Sequence, residues 1–189
     1  MDARRQTVVA LALLCAGCQW TGGGFHADGP EMPRLRQVLK LEKSSIVADF
    51  GAGKGELTFA LAAEVRQVFA TEIDPGRLQR LRDARLANVT VAESLPPSCC
   101  DAIVVRRVYH HLADVSAVNA SLFRSLRPGG VLAIIDFPPP FFLSRGGFGV
   151  PPDDVVAEVK SSGFELVGRF DDWPGRGPLP SYCLVFRKP

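Results

Sequence analysis

A marked excess of either charge is missing from this chain of 189 residues: 22 lysines and arginines stand against 20 acidic residues, for a net charge of +2. Gripping nucleic-acid phosphates needs basic residues clustered on one face. The pair Arg106-Arg107 is too short for that and reads as two solvated charges at a strand end. No nucleic-acid partner is expected. A membrane span is missing near the start, where the apolar run Val8–Leu14 falls well short of the ~20 residues a spanning helix needs. Cysteine is sparse, with five residues. Cys15-x-x-Cys18 has zinc-like spacing, but no second pair or histidine follows at finger distance, so no metal site is expected. Neighbouring Cys99 and Cys100 do not bridge each other easily and are expected as buried or loop thiols.

What the chain does have is the stretch Ile46-Val47-Ala48-Asp49-Phe50-Gly51-Ala52-Gly53-Lys54-Gly55. It reads as a buried strand entering a glycine-rich turn, with a helix from about Glu56. Glycine at alternate positions lets the backbone turn with positive φ and approach a ligand closely. The helix that follows points its free N–H groups at whatever sits there. The spacing is Asp-x-Gly-x-Gly-x-Gly, and Glu56 stands where the third glycine of a dinucleotide fingerprint would fall. A second strand, Val68–Thr71, ends at Glu72. An acid ~20 residues past such a turn is placed to accept hydrogen bonds from two ribose hydroxyls. Pyrophosphate is a poor neighbour for Asp49, whereas an ammonium and a sulfonium suit it.

Length and a hydrophobic content of 47% fit one domain with a sizeable core. Residues 1–18 read as a signal segment: Arg4 and Arg5, then the apolar run, then small residues. Cys15-Ala16-Gly17-Cys18 resembles a bacterial lipoprotein cleavage box with a lipid anchor at Cys18, although Cys15 stands where leucine is preferred. The alternatives are an N-terminal helix or upstream sequence from a misplaced start codon. The chain is periplasmic or membrane-anchored if the signal is used, and cytoplasmic otherwise. Residues 19–30 are a Gly-rich linker, and residues 31–189 form the domain.

Within that domain, helices are expected over Glu31–Leu41, Glu56–Ala63, from Pro75 with Asp74 as N-cap, Ser116–Leu126 and Pro152–Ser161. Strands are expected over Ser45–Phe50, Gln67–Thr71, Asn88–Val91, Ala102–Val105, Val131–Phe137, Phe164–Phe170 and Tyr182–Phe186. Pro128-Gly129-Gly130 is the turn into the fifth strand. Alternation of strands with helices predicts a parallel sheet, and the short connection between the last two strands predicts an antiparallel hairpin. Phe141, Phe142 and Phe148 in the loop after the fifth strand form either an apolar substrate wall or a cover for the core edge.

Four motifs in register carry a resemblance. Asp49-x-Gly51-x-Gly53-x-Gly55, Glu72-Ile73-Asp74, Asp101–Val105 and Leu126-Arg127-Pro128-Gly129-Gly130-Val131 follow the order seen in class I S-adenosylmethionine-dependent methyltransferases. Val108-Tyr109-His110-His111-Leu112 and the Cys183–Arg187 ending resemble a bacterial type-11 branch. The resemblance implies an α/β fold: a doubly wound, mostly parallel seven-stranded sheet, Rossmann-like, with an antiparallel last strand. It implies S-adenosylmethionine as cofactor. The turn Gly51, Ala52, Gly53 and Gly55 would hold the methionine end, with Asp49 orienting the loop or the ammonium. Glu72 would take the ribose hydroxyls and Ile73 would pack on adenine. Arg106 counts as a further cofactor contact. The loop after the third strand is shorter than the family's, and either Glu93 or Ser94 meets the adenine amino group or the segment is a surface turn.

For catalysis, His110 is the first candidate for a general base, with Tyr109 and His111 behind it; the alternative is a histidine that fixes its loop by hydrogen bonds. Three functions remain open: methyl transfer to a small or lipid-like acceptor, an exported lipoprotein keeping the fold as a non-catalytic binding module, and a nicotinamide-dependent oxidoreductase. The glycine spacing and the hairpin ending argue against the last.

Overall fold

A computed structural model describes residues 29–139, 149–174 and 180–189. Its frame is one seven-stranded sheet in the order β3-β2-β1-β4-β5-β7-β6. The strands are β1 (Ile46–Phe50), β2 (Gln67–Thr71), β3 (Val89–Ala92), β4 (Cys100–Arg106), β5 (Leu126–Asp136), β6 (Glu165–Trp173) and β7 (Ser181–Arg187). Neighbours from β3 to β5 pair in parallel. Only β7 is reversed, antiparallel to both β5 and β6. That is the sheet the sequence predicts, including its antiparallel ending.

Side chains alternate across each strand, and the apolar ones fill two layers. Ile103 and Val105 face one core with Leu132, Ile134, Leu184 and Phe186. Helices α4 (Val115–Ser125) and α5 (Pro152–Ser161) cover it through Val118, Leu122, Val155 and Val159. Ala102 and Val104 face the opposite core, covered by α1 (Glu31–Val38) and α2 (Glu56–Glu64) through Met32, Leu35, Leu57 and Leu61. Burial on both faces is why these central strands read as continuous apolar runs.

Helix starts follow their caps. The Asp74 side chain accepts from the Arg77 amide at 2.8 Å and Pro75 opens α3 (Pro75–Asp83), as expected. Helix α4 begins earlier than Ser116, because Asp114 caps it through the Ala117 amide at 2.9 Å. Helix α1 stops at Val38 rather than Leu41. Strand β5 begins at Leu126, so Pro128-Gly129-Gly130 lies within it as an irregularity, not ahead of it. Gly129 takes φ +76 there, and backbone bonds to Lys188 on both sides tie the segment down.

One agreement and one difference concern the β3–β4 connection. It runs from Ala92 to Cys100 without a helix, as the short loop implied. Cys99 and Cys100 are joined as a disulfide between neighbours, where separate thiols were expected. Their Cα atoms are 3.8 Å apart, below the usual disulfide span, which is why adjacency argued against the bond. The signal segment with Cys15 and Cys18, most of the linker, and the Phe141, Phe142 and Phe148 wall lie outside the described residues.

Candidate cofactor and active site

The carboxyl ends of the parallel strands bring the site together. Asp49 near the end of β1, Glu72 after β2, Arg106 at the end of β4 and Asp136 at the end of β5 all meet this edge. Open α/β sheets bind ligands there.

The glycine turn is built by its neighbours. The Gly51 and Ala52 amides donate to the Thr71 carbonyl at 3.0 and 2.8 Å, stitching the turn to the end of β2. Gly51 has φ +78, and a Cβ there would lie 2.5 Å from Val108 Cγ2. Gly55 has φ +88, and its Cβ would lie 2.6 Å from the Phe59 ring and 2.8 Å from Leu81. Gly53 differs. Its φ is +58, but nothing lies within 4 Å of the position its Cβ would take. Gly51 and Gly55 are therefore glycines for the protein's own packing, while Gly53 borders open space.

Glu72 is the link between turn and second strand. Its Oε2 accepts from the Gly53 amide at 2.8 Å, and its Oε1 from the Ile73 and Asp74 amides at 2.7 and 3.0 Å. Arg77 stands 3.8 Å from Oε2. A carboxylate offers about four lone-pair sites, so three amides leave acceptor capacity for a hydroxyl. Ile73, next in the chain, is 46% exposed, an apolar side chain left open beside the carboxylate. Glu93 and Ser94 follow β3 and are exposed beside this end of the sheet.

Asp49 is buried and accepts a 2.6 Å hydrogen bond from the Thr58 hydroxyl on α2. Burial pushes its carboxyl up to about 6, against the pull of the Thr58 bond and the Arg106 charge. A buried carboxylate in that state gains from a nearby cation. Arg106 is engaged by the protein: its Nε and NH2 donate to the two oxygens of Glu31, both at 2.9 Å. Trp173 Nε1 donates to the same carboxylate at 3.1 Å. This cluster clamps α1 to the ends of β4 and β6.

The three candidate bases separate. Tyr109 is buried in the α4/α5 core, its hydroxyl accepting from Asn119 at 2.9 Å and donating to Glu158 at 3.2 Å. Its bonds serve packing. His110 is held by Asp136, which lies 2.8 and 2.9 Å from Nδ1 through its two oxygens. His111 packs against His110, with ring centroids 3.9 Å apart and planes tilted by 45°. Burial, then the neighbouring His110, lowers the His111 pKa, and its Nδ1 has no partner among the described residues. Val108 packs on Gly51, which sets this histidine turn against the glycine turn.

Sequence reasoning missed Thr58, Glu31 and Asp136. Asp136 had a readable signal: like Asp49 and Glu72, it is an acid at or near the carboxyl end of an apolar strand. Glu31 and Thr58 pair across elements, and no local pattern marks them.

Residues 48–134 match the family model described as a methyltransferase domain. Over this stretch the chain is similar to methyltransferase domains. The chain is 32% identical over 102 residues to an uncharacterized methyltransferase of Mycobacterium tuberculosis, covering 50% of this chain and 51% of that one. It is 31% identical over 130 residues to the demethylmenaquinone methyltransferase of Thermus thermophilus, covering 62% and 58% respectively. The chain thus spans little more than half the length of these relatives. Among solved structures, an S-adenosylmethionine-dependent methyltransferase from Mesorhizobium loti superposes with a TM-score of 0.70 at 17% identity, over 86% of this chain and all of that one. The [4+2]-cyclase SpnF shares the fold at a TM-score of 0.71 and 15% identity, over 83% and 79%.

S-adenosylmethionine is the cofactor such a domain implies, and the residues present fit it. Glu72 keeps acceptor capacity for a ribose hydroxyl, Ile73 presents a bare apolar face, and Gly53 leaves room for close backbone approach. Asp49 supplies a buried acid for a cationic group.

Proposed function

We propose that this chain transfers a methyl group from S-adenosylmethionine to a small or lipid-like acceptor. The observation that carries the reading is the Glu72 carboxylate, fixed by the Gly53, Ile73 and Asp74 amides beside an exposed Ile73. That arrangement presents an acid and an apolar face side by side, the pair a ribose and a purine require. When bound, the cofactor supplies a methyl on a positive sulfonium, already a good electrophile. The protein's task is then to place the acceptor in line, where proximity and orientation supply much of the acceleration.

Glu72 holds the ribose hydroxyls and Ile73 packs on adenine. The turn Gly51, Ala52, Gly53 and Gly55 approaches the methionine end, with Asp49 on the ammonium side. Glu93 and Ser94 flank the adenine edge. Arg106 acts at second hand, by fixing α1 through Glu31. A net charge of only +2 supports a small acceptor over a polynucleotide, and the Thermus relative, named for a demethylmenaquinone substrate, supports an apolar one.

Calorimetric titration with S-adenosylmethionine and S-adenosylhomocysteine tests the reading. Binding is expected, and Glu72→Ala is expected to weaken it by ten-fold or more, since a hydrogen bond to a charged group contributes roughly 1.5–3 kcal/mol. A folded protein that binds neither compound would instead be a non-catalytic module on this fold.

A further inference from the structure

We infer that Asp136 is a positioning residue that locks His110 as its Nδ1–H tautomer, leaving Nε2 as a proton acceptor for a methyl acceptor bearing a removable O–H or N–H proton. The inference rests on the methyl-transfer reading for its purpose, but its geometry stands apart from the cofactor residues.

The Asp136 side chain is fully buried and that of His110 is 5% exposed. Both carboxylate oxygens lie within hydrogen-bond distance of Nδ1, at 2.8 and 2.9 Å. Backbone amides complete the carboxylate: Phe137 N donates to Oδ1 at 3.0 Å and His110 N to Oδ2 at 3.2 Å. An ionised carboxylate only accepts, so the imidazole nitrogen it faces must carry the proton. In neutral imidazole the other nitrogen then has the lone pair. Among the described residues His110 makes no hydrogen bond through Nε2, so none of them takes up that lone pair.

The ring itself cannot easily turn. His111 packs against it at 3.9 Å and Phe137 at 4.8 Å, both with tilted planes. The turn that carries it rests on Gly51 through Val108, and Arg107 within that turn takes φ +56, a conformation unusual for a side-chain-bearing residue. Its amide donates to the Ile135 carbonyl at 2.7 Å, next to Asp136. The end of β5 therefore fixes both the backbone and the ring of the histidine turn.

The chemistry balances without an outside reagent. The acceptor's proton passes to Nε2, and the electron pair it leaves behind forms the new bond to the methyl carbon. The pair of the broken carbon–sulfur bond stays on sulfur. The imidazolium that results has Asp136 against Nδ1, the arrangement by which a buried carboxylate orients a catalytic histidine and stabilises its charged form. An acceptor with no proton to lose would have no use for this pair.

Nitrogen-15 NMR of the histidine rings in the whole chain decides the matter. At pH 8 the wild type is expected to show His110 with a pyrrole-type Nδ1 and a pyridine-type Nε2. Asp136→Asn is expected to abolish that single-tautomer signature. The wild-type reading needs no variant, so loss of folding in Asp136→Asn would leave the test intact. A protonated Nε2 in the wild type overturns the inference, as does an unchanged signature in a folded Asp136→Asn. S-adenosylhomocysteine titrated into the same sample separates the two readings. Binding together with the wrong tautomer sinks this inference alone. The right tautomer without binding sinks the cofactor reading and leaves the dyad standing.

Discussion

Glu31 and Arg106 meet as a two-pronged pair, 2.9 Å at each contact, although 75 residues separate them in the chain. Their side chains are 8% and 11% exposed. A buried pair of this kind is costly to break from one side, by about 3–5 kcal/mol, because a charge is left without its counterpart. Glu31→Ala is therefore expected to lower unfolding free energy by about that amount in a urea titration. Glu31→Gln, which keeps an acceptor for Trp173, is expected to lose less.

Two of the turn glycines, Gly55 and Gly53, make a graded prediction. Gly55→Ala meets Phe59 and Leu81 at 2.6 and 2.8 Å with φ at +88. Left-handed backbone costs about 1–2 kcal/mol for a side-chain-bearing residue, and overpacking adds about 1–3 kcal/mol. Gly53→Ala carries only the first cost. Thermal melts should place Gly55→Ala well below Gly53→Ala, while calorimetry should show that Gly53→Ala still loses affinity for S-adenosylhomocysteine.

Asp49 gives the protein a pH signature. Its carboxyl is raised from 3.8 to about 6 in the folded state. The folded state thus holds this proton more tightly than the unfolded chain does. The stability contributed is complete below pH 3.8 and is lost as pH rises through about 6, a change of about 3 kcal/mol. Asp49→Asn keeps an acceptor for Thr58 and is expected to flatten this pH dependence in denaturant unfolding. Ligand affinity should run the other way, rising as Asp49 ionises, if it faces the cofactor's ammonium.

Tyr109 is expected to behave as a core residue. Tyr109→Phe leaves the buried Asn119 amide without the hydroxyl it bonds, at a cost of about 1–3 kcal/mol. Affinity for S-adenosylhomocysteine should not change. A large loss of affinity with unchanged stability would return this tyrosine to the ligand site.

Much of this was legible because the informative features are local. Asp-x-Gly-x-Gly-x-Gly, the acid after β2 and the Asp74-Pro75 helix start each depend on a few adjacent residues. The strand ladder followed from apolar runs of strand length. The illegible part is made of pairings between distant segments. Asp136 ends β5 while His110 sits in the turn after β4, and Glu31 reaches Arg106 across the sheet edge. The Cys99–Cys100 bond was misjudged from a general distance preference. The start of β5 was misplaced because Pro128-Gly129-Gly130 has turn composition, yet sits in the ladder as an irregularity.

The reversed strand β7 lies between β5 and β6, and residues Ser181 to Phe186 along it are buried. The last strand of the sheet in chain order is thus an interior one. While the polypeptide is being made, β5 has no neighbour on that side and β6 has no sheet to join. Closing the sheet is postponed until β7 itself clears the ribosome and slots in. A stop codon shortly before Ser181 would leave a gap in the middle of the domain rather than trim its edge.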